Sequence, residues 1–175
     1  MILSVDPGFN KNGWAVFDKS GSLVDFGVCI LPKTRQKHYL VEDYHKWIIW
    51  QTSQLDTIIK KYPISLICSE MITLGGKSAK ALREMAMAMT IVTILSWFNS
   101  VPVLYTSAKS GKIALTGKGN ATKKECIQVI KNTYKNKFDK ITQGNLEHIA
   151  DAIGVYRALQ EEIKLFYASK KKGGN

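Results

Sequence analysis

Three short apolar runs, residues 2–5, 13–17 and 23–30, fall within the first thirty positions, punctuated by Asp6-Pro7-Gly8 and Ser20-Gly21. Short apolar runs bounded by such turn residues predict three antiparallel strands joined by tight turns. This opening meander restricts the fold more than any later feature, because everything downstream must pack against a sheet that already exists.

After the meander the pattern changes period. Tyr44, Trp47, Ile48, Leu55, Ile58 and Ile59 recur at helical spacing within 39–60, predicting a crossover helix that Pro63 ends. Residues 64–68 form a continuous apolar run, as expected of a strand buried on both faces, and stop at Ser69-Glu70. A second helix is predicted over 77–97. Leu82, Met85, Ala86, Met89, Ile91, Val92, Leu95 and Trp97 make it apolar around much of its circumference, which implies deep burial or a subunit interface. A strand over 101–105 and helices over 121–134 and 146–168 follow, and the basic stretch 170–175 reads as a disordered tail. The expected fold is α/β: a mixed five-stranded sheet, three antiparallel strands then parallel ones reached by right-handed crossovers, with helices on both faces of a single domain over 1–169.

Composition narrows the partners. Lys and Arg total 25 against 14 Asp and Glu, a net charge of +11, which suits a polyanion because neutralised phosphates release counterions. The plainer reading is a lysine-rich surface with no partner. Cys29, Cys68 and Cys126 form no Cys-x-x-Cys pair and read as reduced packing residues. No segment is expected to reach the roughly 18 uncharged apolar residues that span a bilayer. The opening also meets Asp6 too soon for a secretory signal, so a cytoplasmic protein is expected.

The acidic residues carry the chemistry. Asp6 and Glu70 each stand at the carboxyl end of an apolar strand, where α/β sheets bind ligands in a crevice. Asp151 lies in the last helix with His148 three residues before it, so both share one helix face. Ile149, Ala152, Ile153, Tyr156, Ile163 and Phe166 form the inward face, leaving His148 and Asp151 on its margin. Carboxylates with one imidazole suit Mg²⁺ or Mn²⁺, and two such ions about 4 Å apart can drive phosphodiester hydrolysis. Each residue also has a plain structural reading. Asp6 before Pro-Gly is a common turn residue, Glu70 could pair with a lysine, and Asp151 could be a surface charge. His38 and His45 are assigned structural roles, and Glu147 is at most a supporting residue.

Val5-Asp6-Pro7-Gly8 followed by Gly13-Trp14-Ala15-Val16 resembles the opening of RuvC-type Holliday junction resolvases, members of the RNase H-like superfamily. Ser69-Glu70 resembles their second acidic motif, Lys77-Ser78-Ala79 with Leu82 their following helix, and His148-Ile149-Ala150-Asp151-Ala152 their C-terminal motif. Between them, Ala108-Lys109-Ser110-Gly111-Lys112 and 116–123 resemble the family's basic segment. There Gly117 and Gly119 permit close backbone approach to phosphate, and clustered lysines supply positive charge.

The resemblance spans residues 1–159 and implies an RNase H-like nuclease with Asp6, Glu70, His148 and Asp151 as metal ligands and catalytic residues. It implies Lys112 and Lys123 near the scissile phosphate, and DNA contacts from Lys77, Ser78, Lys80, Lys109 and Lys118 as well. Two Mg²⁺ or Mn²⁺ ions per site, a homodimer joined through the helix over 77–97, and paired symmetric nicks in a four-way DNA junction follow from it. One feature departs from the pattern. Family members often carry an aromatic wedge after the second acidic motif, and here only Met71 or Leu74 offers an apolar substitute. Rival readings are a hybrid-cutting or broader branched-DNA nuclease of the same fold, and a junction-binding protein without catalysis. An actin-like phosphotransferase would need a longer, two-lobed chain.

Overall fold

The computed structural model describes residues 1–32, 41–71 and 78–172. Five strands, β1 (Ile2–Asp6), β2 (Lys11–Phe17), β3 (Leu23–Ile30), β4 (Leu66–Glu70) and β5 (Val103–Thr106), make one sheet in the order β3-β2-β1-β4-β5. The first three pair antiparallel, and β4 and β5 add in parallel on the other side of β1. This is the mixed sheet that the spacing of apolar runs predicts. The turn between β2 and β3 is held by the Asp18 carboxylate, which accepts from the backbone N–H groups of Ser20 and Ser22, and Gly21 there takes φ of 86°.

Alternation along the strands builds two cores. Leu3, Val5 and Val16 point to one face, covered by α1 (Val41–Lys61) and α2 (Ala79–Asn99). Ile2, Ala15 and Phe17 point to the other, under α3 (Ala108–Thr116), α4 (Lys123–Tyr134), α5 (Gln143–Ala158) and α6 (Gln160–Lys172). All three cysteines are free and buried, as expected of packing residues.

Several expectations need correction. The helix expected over 146–168 is two helices, because Leu159 leaves helical geometry (φ −105°, ψ 11°) and its N–H closes a tight bond on the Tyr156 carbonyl. The break redirects the chain while Leu159 and Ile163 both reach the same core. The basic segment, to which no helix is assigned from sequence, folds partly as α3, started by Ser107, whose hydroxyl accepts from the Ser110 N–H, and stopped by Gly117 at φ 77°. The chain is still helical at Lys170–Lys172, where the tail was expected to begin.

The expectation that no segment has the length and composition of a membrane span also fails. By those two criteria α2 qualifies, because Ile, Val, Leu, Met and Ala crowd it and no charged residue follows Glu84 within it. In the fold it lies against α1 and the sheet, burying Ala88, Ile91, Val92 and Leu95.

Candidate active site

The site begins with strand register. Val5 of β1 sits beside Ser69 of β4, so the next residues, Asp6 and Glu70, end adjacent parallel strands at the same edge of the sheet. Glu70 is itself the last residue of β4, paired with Thr106 of β5. On its other side Asp6 pairs with Gly13 of β2.

α5 brings the remaining acidic group and the imidazole. The buried Ser4 hydroxyl donates to the Ala152 carbonyl at 2.6 Å, pinning the helix across β1. Gly13 lets the helix backbone come down at His148, whose Nδ1 lies 3.0 Å from Asp6 Oδ2. Asp151, one turn further, is largely buried. That burial, with the nearby Asp6 charge, pushes its carboxyl up to about 6.

α3 closes the crevice. Gly111 and Gly154 face each other where α3 crosses α5, so the two backbones approach closely and Lys112 lines the same narrow crevice as Glu70 and Asp151. Lys123 opens α4, whose first turn is fixed by a reciprocal pair of bonds between Thr122 and Glu125. Its ammonium reaches Glu147 at 2.7 Å. The Glu147 carboxylate, with Asp151 and Asp6 farther off, holds that ammonium above the usual lysine range. Lys123 in turn holds Glu147 below the usual carboxylate range.

The fold therefore gathers Asp6, Glu70, His148, Asp151, Lys112 and Lys123 at one edge of the sheet from five separate elements. Oxygen donors with one imidazole are a donor set for a hard divalent cation. Among the described residues no three His, Cys, Asp or Glu side chains already converge on one point. The Asp6 carboxylate and the His148 imidazole are hydrogen-bonded to each other.

Of the other expected DNA contacts, Lys109 packs its stem on Gly119, and Lys118 lies 3.9 Å from Glu125. Ser78 caps α2 by accepting from the Ala81 N–H, and Lys80 faces Glu84 at 3.8 Å one turn on. Lys77 and Leu74 lie outside the described residues, while Met71 is exposed just after Glu70.

Sequence reasoning passed over Lys11 and Asn145, whose side chains bond at 2.8 Å beside the His148 turn of α5, and it ranked Glu147 low. The only available signal was a lysine between the Asp6 turn and the next apolar run. A larger cavity of about 730 Å³, bordered by Gly21, Ser65, Tyr156, Ile163 and Tyr167, lies at the opposite end of the strands and includes none of these residues.

Residues 2–158 match the family model for crossover junction endodeoxyribonuclease RuvC. Over 172 residues the chain is 27% identical to the crossover junction endodeoxyribonuclease RuvC of Brachyspira hyodysenteriae, covering 95% of this chain and 97% of that one. To the protein of the same name from the Wolbachia of Brugia malayi it is 28% identical over 155 residues, covering 88% and 90%. Among solved structures, Thermus thermophilus RuvC in complex with a Holliday junction substrate matches with a TM-score of 0.72 at 16% identity, covering 94% of each chain. The yeast mitochondrial Holliday junction resolvase Ydc2 matches with a TM-score of 0.62 at 12% identity, covering 98% of this chain and 83% of that one. At such identities these two structures establish the shared fold.

Proposed function

The chain belongs to the RuvC family of crossover junction endodeoxyribonucleases, and from that premise we propose that it resolves four-way DNA junctions by metal-dependent, paired symmetric nicking. The observation that carries the reading is the meeting of Asp6 with His148, and of Asp151 with Glu70 and Lys112, at one sheet edge of a strongly basic protein.

Asp6, Glu70, His148 and Asp151 would hold the metal, Mg²⁺ or Mn²⁺, two ions per site. When bound, the cations supply Lewis acidity to the attacking water and the scissile phosphate. The chain's own contribution is electrostatic and positional. Lys112, held at the α3–α5 crossing, sits where a phosphate entering the crevice gains a fixed positive charge. Lys123 reaches the same phosphate by exchanging Glu147 for it. Lys109 and Lys118, on α3 and the loop after it, would contact the strand backbone beyond the crevice, as would Ser78 and Lys80 at the start of α2; Lys77 is proposed to join them.

A four-way junction has twofold symmetry, and a homodimer matches it. The interface is α2, whose outer surface carries no charge from Met85 to Asn99 and leaves Trp97 exposed. Acting on DNA puts the protein in the compartment that holds it, the cytoplasm of a bacterial cell or of a virus-infected host.

The test is cleavage of a labelled synthetic four-way junction and a matched linear duplex by the wild type and Asp6→Asn, with Mg²⁺, Mn²⁺ or a chelator. Paired nicks confined to the junction, dependent on metal and absent in the variant, are expected. Equal cutting of flaps or hybrids would move the reading to a broader nuclease. Tight junction binding with no cutting under any metal would leave a binding protein.

A further inference from the structure

The turn that carries Asp6 is tied to a helix on the opposite face of the sheet by two buried amides. The Gly8 N–H donates to Asn12 Oδ1 at 2.7 Å, and Asn12 Nδ2 donates to Gln51 Oε1 at 2.6 Å. Asn12 is 1% and Gln51 0% exposed. The direction of this chain is fixed from one end. A backbone N–H can only donate, so Asn12 must present its oxygen to Gly8. Its amino group therefore faces Gln51, which must answer with an oxygen.

Gln51 is an odd residue for its place. It lies in the apolar core between α1 and the sheet, and among the described residues its Nε2 has no hydrogen-bond partner. A buried amide donor left without a partner costs stability, and Leu or Met would fill the same volume without that cost. What an apolar residue cannot supply is the acceptor for Asn12. Without it, the Asn12 amide loses its partner and its orientation, and with them the bond on Gly8, two residues from Asp6.

We infer that Gln51, through Asn12, is a positioning residue for the metal site: it holds the Asp6 turn in the geometry that binds the cation, although it touches neither metal nor DNA. This rests on the metal-dependent reading given above.

The test is Mn²⁺ binding without DNA, followed by the electron paramagnetic resonance signal of the free ion, for wild type, Gln51→Met, Asn12→Ala and the double variant. Gln51→Met is expected to weaken Mn²⁺ binding roughly tenfold, the low end of what is lost when supporting partners of metal ligands are removed. Junction affinity in chelator should stay unchanged. Asn12→Ala should lose at least as much, and the double variant no more than Asn12→Ala alone, because one relay can be broken only once. Should Gln51→Met not fold, Gln51→Asn withdraws the acceptor while keeping an amide and is judged by the same criteria. A lowered melting temperature with unchanged Mn²⁺ affinity, or losses that simply add, would overturn the inference and leave the metal reading intact. A wild type that binds no Mn²⁺ would instead remove the metal reading itself.

Discussion

Gly13 of β2 lies directly under the backbone of His148: a Cβ built at Gly13 would stand 2.1 Å from the His148 carbonyl oxygen. Because Gly13 is also the cross-strand partner of Asp6, this contact sets how closely the imidazole approaches the carboxylate. Gly13→Ala must push α5 off the sheet. It should cost about 1–3 kcal/mol, as overpacking does, and reduce cleavage beyond what the stability loss explains. Chemical denaturation and junction cleavage measured on the same preparation check both.

Asp151 gives a pH signature in the metal-free protein. Its carboxyl is raised to about 6 from the ordinary carboxylate value of 3.8 by burial and the nearby Asp6 charge, so the folded state binds the proton more tightly than the unfolded one. The sign follows. Between about pH 4 and 6 the native state holds more protons, and stability attributable to this group falls as pH rises through that window. Asp151→Asn should therefore be more stable than wild type at pH 7.5 in chelator, by up to about 3 kcal/mol, with the advantage shrinking towards pH 4. Melting curves across pH decide it, and an advantage independent of pH would contradict the assignment.

Lys123 and Glu147 make a pair whose energetic and catalytic weights should separate. The Lys123 side chain is 61% exposed, so Lys123→Ala should change stability by less than about 1 kcal/mol. Loss of a cation placed at the scissile phosphate should slow cleavage roughly a hundredfold. Single-turnover rates at saturating protein measure this directly.

Lys109 and Lys118 are expected to act only through backbone phosphates. Replacing either with Ala should weaken binding to junctions of every sequence equally and lower the salt slope of log K by about 1. Fluorescence anisotropy across a salt series reads both quantities.

The dimer reading is tested at Trp97, 76% exposed on α2 and in edge-to-face contact with the equally open Phe98. Trp97→Asp should yield a monomer by sedimentation equilibrium and replace paired nicks with independent single ones.

The sheet was legible because strand signals are local: short apolar runs and turn residues such as Pro7-Gly8 and Ser20-Gly21 specify β1 to β3 without reference to distant chain. The four candidate ligands were legible for a related reason, since acidic residues at strand ends and an i, i+3 pair on a helix are visible in one dimension. The α5–α6 break at Leu159 was not, because apolar spacing runs on through it and only the position of the core requires the turn. α3 was hidden because its lysines and Gly111 read as a basic segment rather than as a helix with an apolar face.

Local sequence specified the strands, the helices that became α1, α2 and α4, the charge and the chemical kinds of the donors, all of which depend on neighbours along the chain. The tertiary structure alone decided that Gly13 admits His148 to Asp6, that Gly111 and Gly154 bring Lys112 to Asp151, that Lys123 rests on Glu147, and that Gln51 reaches the Asp6 turn through Asn12. These contacts join residues far apart in the chain, and no local propensity encodes them. They exist because close packing of two helical layers on one sheet brings groups distant in the chain within reach of one another.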